Sequence, residues 1–251
     1  MSIKTQSNNV NGVSLYEVFD ESWTCSKPLV ILIHGFSGQK DEMLPWGTMF
    51  AESGYYTLLI DAYGHGERNT TGDLPTPLEA VLKTTDEING LIEYYTKNKI
   101  IDSKRIGLAG GSMGGWITLN YITRRDRKVK AAASMLATPY WTEILGNPVA
   151  ISLLQEKKPT YTNEIIDAEL KLAEQIQPAR SFGSLRDFPL LNINGGADVF
   201  VPTESLKQLI EYARSLYQDK SLIKMSIHPD TSHVFTSEMI QEVIQWFDLH
   251  L

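Results

Sequence analysis

Two rhythms of apolar residues alternate along this chain. Leu29 to Ile33 is an unbroken run rich in β-branched residues, and Tyr55 to Ile60 is nearly so, which is the pattern of strands buried on both faces. Val13 to Phe19 alternates closely enough to form a further strand. Between such runs lie longer stretches with helical spacing. Met43 to Ser53 is one, and Leu78 to Lys97 is another, with Val81, Ile88, Leu91 and Ile92 on one side. The alternation continues with a strand at Arg105 to Ala109, a helix at Met113 to Arg124 and a strand at Val129 to Leu136. Strands that take turns with helices over most of a chain predict an α/β fold, a mostly parallel sheet with helices on both faces.

The rhythm breaks once. Residues 138 to 187 form the longest interval between predicted strands and contain Asn147-Pro148, Lys158-Pro159 and Gln177-Pro178, with a helical stretch near Glu164 to Ile176. The interval is too short for a core of its own, so it reads as a helical cap inserted into a single domain spanning residues 1 to 251. The strand at Leu190 to Asn194 then restores the pattern. Thr203 to Tyr217 follows as helix, Leu222 to His228 as strand and Ser237 to Leu251 as helix.

In a parallel sheet of this kind the ligand crevice lies beyond the carboxyl ends of the strands. His34, Asp61, Ser112, Asp198 and His233 all fall just after predicted strands. The stretch Gly110-Gly111-Ser112-Met113-Gly114 adds a backbone argument. A serine on a sharp strand-to-helix turn needs neighbours without side chains two positions before and after it, and the GxSxG spacing supplies them. The helix that follows aims free N–H groups and the positive end of its dipole at the same turn, where an oxyanion would be stabilised.

Composition narrows the choice of chemistry. With 251 residues, 42% hydrophobic and 21% charged, the chain reads as an ordinary globular protein. Its net charge of −7 argues against nucleic acid or an anionic membrane as partner. Cys25 is the sole cysteine, which rules out an internal disulfide framework and leaves too few thiols for a zinc cluster. Met1 to Gly12 has one Lys and no apolar core, and no stretch approaches the ~18 apolar residues of a membrane span, so a cytoplasmic location is expected. P-loop, dinucleotide, HExxH and CxxC patterns are missing, and the expectation is therefore of neither cofactor nor metal.

Five segments together resemble the α/β-hydrolases, specifically the branch of small bacterial esterases and prolyl-oligopeptidase-like or dienelactone-hydrolase-like proteins. They are Ile31 to Phe36 (ILIHGF), Asp61 to Arg68 (DAYGHGER), the serine turn, Gly195 to Pro202 (GGADVFVP) and Ser232-His233. The resemblance covers essentially the whole chain outside the cap. It implies a Ser-His-Asp triad acting on a small-molecule ester through an acyl-enzyme.

Ser112 is then the candidate nucleophile, since a serine hydroxyl is inert at neutral pH unless a base removes its proton. The competing role for it is to cap the helix starting at Met113. Five histidines could serve as base, and His233 is favoured because it sits in the loop after the last strand, whereas His228 is still at the strand's end. Asp198 is the candidate acid that fixes the imidazole tautomer, with Asp61 as its competitor. The resemblance assigns the oxyanion hole to the backbone N–H groups of Phe36 and Met113. Tyr140, Trp141 and Phe200 are candidate pocket walls. Two rival readings remain at this point: a peptidase of the prolyl-oligopeptidase type, against which stands the lack of a propeller-sized amino-terminal domain, and a noncatalytic binding protein on the same fold.

Overall fold

A computed structural model describes residues 2 to 98 and 101 to 251. Eight strands form one sheet: β1 (Ile3–Val10), β2 (Val13–Asp20), β3 (Lys27–Ile33), β4 (Tyr56–Ile60), β5 (Ile101–Gly111), β6 (Ala131–Met135), β7 (Leu190–Gly195) and β8 (Ile223–His228). Their spatial order is β1-β2-β4-β3-β5-β6-β7-β8. The strands from β3 to β8 run parallel, while β1 and β2 enter antiparallel at one edge. Every parallel strand therefore ends at the same rim of the sheet.

The period of two in the strands sorts their side chains between two cores. Leu29, Ile31 and Ile33 face one side, where α2 (Pro77–Asn98), α3 (Met113–Ile122) and α7 (Glu204–Leu216) cover the sheet. Val30 and Leu32 face the other, under α1 (Leu44–Glu52) and α8 (Ser237–His250). Burial on both faces explains why β3 and β4 read as continuous apolar runs.

The interval between β6 and β7 folds as α4 (Trp141–Leu145), α5 (Pro148–Lys157), α6 (Asn163–Ile176) and a 3-10 segment at Pro178–Leu185. Asn147 starts α5 by accepting a bond from the Val149 N–H at 2.9 Å, and Pro148 occupies the first turn, where a missing N–H costs nothing. The insert is tied to the sheet's helices by Glu169, a buried carboxylate on α6. It accepts from the Leu78 N–H at 2.9 Å at the start of α2 and from the Tyr161 hydroxyl at 2.6 Å. Glu169 thus satisfies an N–H that α2 cannot bond internally. Among the described residues no helix is long and apolar enough to cross a membrane.

The amino-terminal segment gains an element that its apolar pattern does not predict. β1 is largely exposed, so it lacks the hydrophobic alternation that marks a half-buried strand. A two-residue turn pairs it with β2: Asn11 and Gly12 have φ of 54° and 86°, the left-handed pair that a type I′ hairpin requires. Nothing lies within 4 Å of a Cβ built on Gly12. Gly12→Ala should therefore cost only the left-handed backbone strain, about 1–2 kcal/mol, measured as a shift in the urea midpoint with an unchanged m-value.

Candidate active site

β5 hands over to α3 through Ser112, whose φ of 54° and ψ of −116° put a non-glycine residue in a strained conformation. The glycines on either side make the turn possible. A Cβ on Gly114 would lie 2.1 Å from the carbonyl oxygen of Ile33, and one on Gly110 would lie 2.4 Å from that of Gly114. The helix can thus settle directly onto the ends of β3 and β5. Although Ser112 occupies the N-cap position of α3, its side chain makes no capping bond. Its hydroxyl lies 2.9 Å from His233 Nε2 instead.

The other ring nitrogen of His233 lies 2.7 Å from Asp198 Oδ2. The side chain of Asp198 is fully buried, with Oδ1 accepting from the N–H groups of Phe200 at 2.8 Å and Val201 at 3.1 Å. With its carboxylate accepting throughout, Asp198 requires a proton on His233 Nδ1, which leaves Nε2 free to accept from Ser112. The loops carrying the two residues run side by side. Gly196 N–H bonds to the His228 carbonyl at 2.8 Å and Ala197 N–H to the Thr231 carbonyl at 3.0 Å. One loop after β7 and one after β8 are thereby fixed as a unit.

The competitors are engaged elsewhere. The ring of His228 lies 3.3 Å from Glu242 on α8. Asp61 is fully buried and accepts from the Lys40 N–H at 2.8 Å, the Glu67 N–H at 3.1 Å and the Lys40 ammonium at 2.9 Å. Lys40 itself is buried. That burial opposes its charge, but the bonds to Asp61 and Glu67 outweigh it and hold its pKa above the ordinary lysine value. Nothing in the polar stretch around Lys40 signals that it is interior.

His34 and His65 organise backbone, as their glycine-rich surroundings suggest. His34 Nε2 accepts from the Ala62 N–H at 3.0 Å, and its Nδ1 donates to the Gly35 carbonyl at 2.7 Å. The ring therefore braces the turn that carries Phe36. Burial pushes the pKa of His34 down to about 4, despite the opposing pull of the Gly35 carbonyl. Burial also lowers that of His65, which bonds to the Tyr63 carbonyl.

A cavity of about 330 Å³ opens above Ser112 and His233. Phe36, Met113 and Phe200 are among the residues that line it. Among the described residues no hydrogen bond engages the backbone N–H of Phe36 or Met113. Tyr140 and Trp141 do not reach the cavity. Trp141 is fully buried and stacks on Trp116 at 5.7 Å, and Trp116 is the ring that forms the wall. The correction has a simple cause: the start of α4 turns its aromatic residues toward the body, and α5 supplies the lining through Ala150, Leu153, Leu154 and Lys157. Their spacing of three and four is a helical face, a signal present in the sequence.

This combination of sheet and serine turn defines an α/β-hydrolase. Among solved structures, TT1662 from Thermus thermophilus matches 99% of this chain over 98% of its own, with a TM-score of 0.75 at 19% identity. The sequence profile of the prolyl oligopeptidase family matches residues 46–251, and the chain belongs to that family of hydrolases. The Bacillus subtilis protein named "Putative esterase YitV" is 29% identical over 99% of this chain and all of its own length. Esterase YjfP of Escherichia coli is 28% identical over 89% of each chain.

The depressed pKa of His34 makes stability depend on pH. The unfolded chain takes up the proton near 6.5 and the folded chain only near about 4, so the stabilisation is complete above pH 6.5 and is lost as pH falls toward 4. By pH 5 the loss from this group alone should reach about 2 kcal/mol. Urea titrations of wild type and His34→Asn at pH 7 and pH 5 check this: the gap between the two proteins should narrow at the lower pH.

Proposed function

We propose that this protein is a serine hydrolase that cleaves carboxylic esters through an acyl-enzyme. The observation that carries the reading is the unbroken chain of short contacts from Ser112 Oγ through His233 to Asp198. Ser112 attacks the ester carbonyl while His233 Nε2 takes its proton, and Asp198 stabilises the imidazolium that forms. The oxyanion is held by the N–H groups of Met113 and Phe36. Collapse of this intermediate expels the alcohol, which receives the proton from His233. Water, activated by the same imidazole, then releases the acid and restores Ser112.

Esters are favoured as substrate by the cavity, which is small and walled mainly by apolar side chains, and by the names of the two full-length relatives. Family membership favours a second reading, a peptidase acting by the same steps. We assign residues 138 to 187 the role of a lid that sets substrate range, acting through α5. The exposed, unpaired Cys25 is compatible with a cytoplasmic protein.

Ser112→Ala should abolish hydrolysis of p-nitrophenyl esters with an unchanged melting temperature, because it removes one oxygen and little packing. The expected fall in kcat/KM is ~10⁴-fold or more, and retention of a tenth of the wild-type rate would defeat the assignment. Peptidyl and aminoacyl amides assayed alongside the esters separate the two readings by their relative kcat/KM.

The late histidines should behave differently from each other. His233→Ala should match the loss of Ser112→Ala, while His228→Ala should lose little, since its partner is Glu242. The Ser112→Ala plus His233→Ala double variant should be barely worse than either single one, because members of a relay act as a unit. Multiplying losses would instead show that His233 acts on something other than the serine.

A further inference from the structure

The cavity above Ser112 is apolar along most of its length, yet two side chains of opposite charge also line it, Glu42 and Lys157. Among the described residues neither has a hydrogen bond or ion pair through its charged group. Other charged residues near the insert are committed. Lys158 lies 2.7 Å from Asp73, and Glu143 accepts from Ser205 at 2.7 Å.

The two free charges sit at different depths from the nucleophile. Glu42 borders the turn from Gly35 to Gly38, where a Cβ on Gly38 would come within 2.9 Å of its carboxylate. Gly35 in the same turn lies against Ser112, at 3.4 Å from a built Cβ to that of the serine. Glu42 therefore marks the reacting end. Lys157 is the last residue of α5, whose start is held at the reacting end by Asn147, bonded to the Val199 carbonyl at 3.1 Å beside Phe200. Phe200 in turn meets the ring of His233 edge-on, with centroids 5.3 Å apart. From Ala150 to Lys157 the helix advances about 10 Å. The face between them is Leu153 and Leu154, so the wall is apolar until it reaches Lys157.

We propose that Lys157 selects esters whose acyl chain ends in a carboxylate, a half-ester of a medium-length dicarboxylic acid. The inference rests on the ester reading above and names its substrate class. The apolar face of α5 takes the methylene chain, Lys157 meets the terminal carboxylate, and Glu42 repels a negative charge placed close to the reacting carbonyl. Short dicarboxylates are thereby disfavoured and longer ones accepted.

The test compares kcat/KM for mono-p-nitrophenyl suberate with that for p-nitrophenyl octanoate, which has the same chain length without the terminal charge. In Lys157→Glu the suberate-to-octanoate ratio should fall about tenfold, which is about 1.4 kcal/mol, since a modest solvent-screened attraction is replaced by repulsion between like charges. Lys157→Arg should keep the ratio near wild type. The corresponding succinate-to-butyrate ratio should not follow Lys157, because that carboxylate stops short of it, and should rise in Glu42→Gln. A suberate-to-octanoate ratio that is the same in Lys157→Glu as in wild type overturns the inference while leaving the esterase intact. If wild type hydrolyses none of these four esters, charged or uncharged, the ester reading fails, and this one with it.

Discussion

The contact between Gly114 and the carbonyl of Ile33 is the constraint on which the rest of the site depends. With a separation that leaves no room for a methyl group, α3 begins directly over the ends of β3 and β5. That close seating lifts Ser112 clear of the sheet and brings the turn after β3, with Gly35 and Phe36, against it. Two neighbouring strands thus bring a hydroxyl and a glycine turn into contact. The strained φ of Ser112 is the local cost, and the packing of an almost wholly buried α3 over-determines it.

Charge is handled differently on the two sides of this centre. Asp198 is buried with its oxygens fully engaged by two N–H groups and one imidazole, an arrangement that compensates its desolvation without a cation. Asp61, equally buried, is matched by the ammonium of Lys40 and by backbone donors. The first arrangement leaves the imidazole responsive to the serine. The second makes a rigid strut between the loops after β3 and β4, against which His34 and His65 hold the turn that bears Phe36.

Much of this was legible in the sequence because parallel strands and sharp turns constrain residue type. Buried strands must be apolar on both faces, and the serine turn admits only glycine at Gly110 and Gly114. Ser112, Asp198 and His233 follow from their places after β5, β7 and β8. What escaped has equally physical causes. β1 carries its strand information in the Asn11-Gly12 turn and not in apolar alternation. Lys40 looks like any surface lysine until Asp61 and Glu67 converge on it. Tyr140 and Trp141 resemble pocket walls because large aromatic residues serve cores and cavities alike, and only the direction of α4 decides between them.

The insert divides its anchorage unevenly. α6 is moored to α2 by Glu169, whereas α5 buries a single residue, Ala150, although it forms a wall of the cavity. Substitutions on the rest of that helix therefore remove little core packing and draw little on the stability of the whole. This wall of the cavity is accordingly free to change its side chains at small risk to the folding of the chain, because it lies almost outside the packed core.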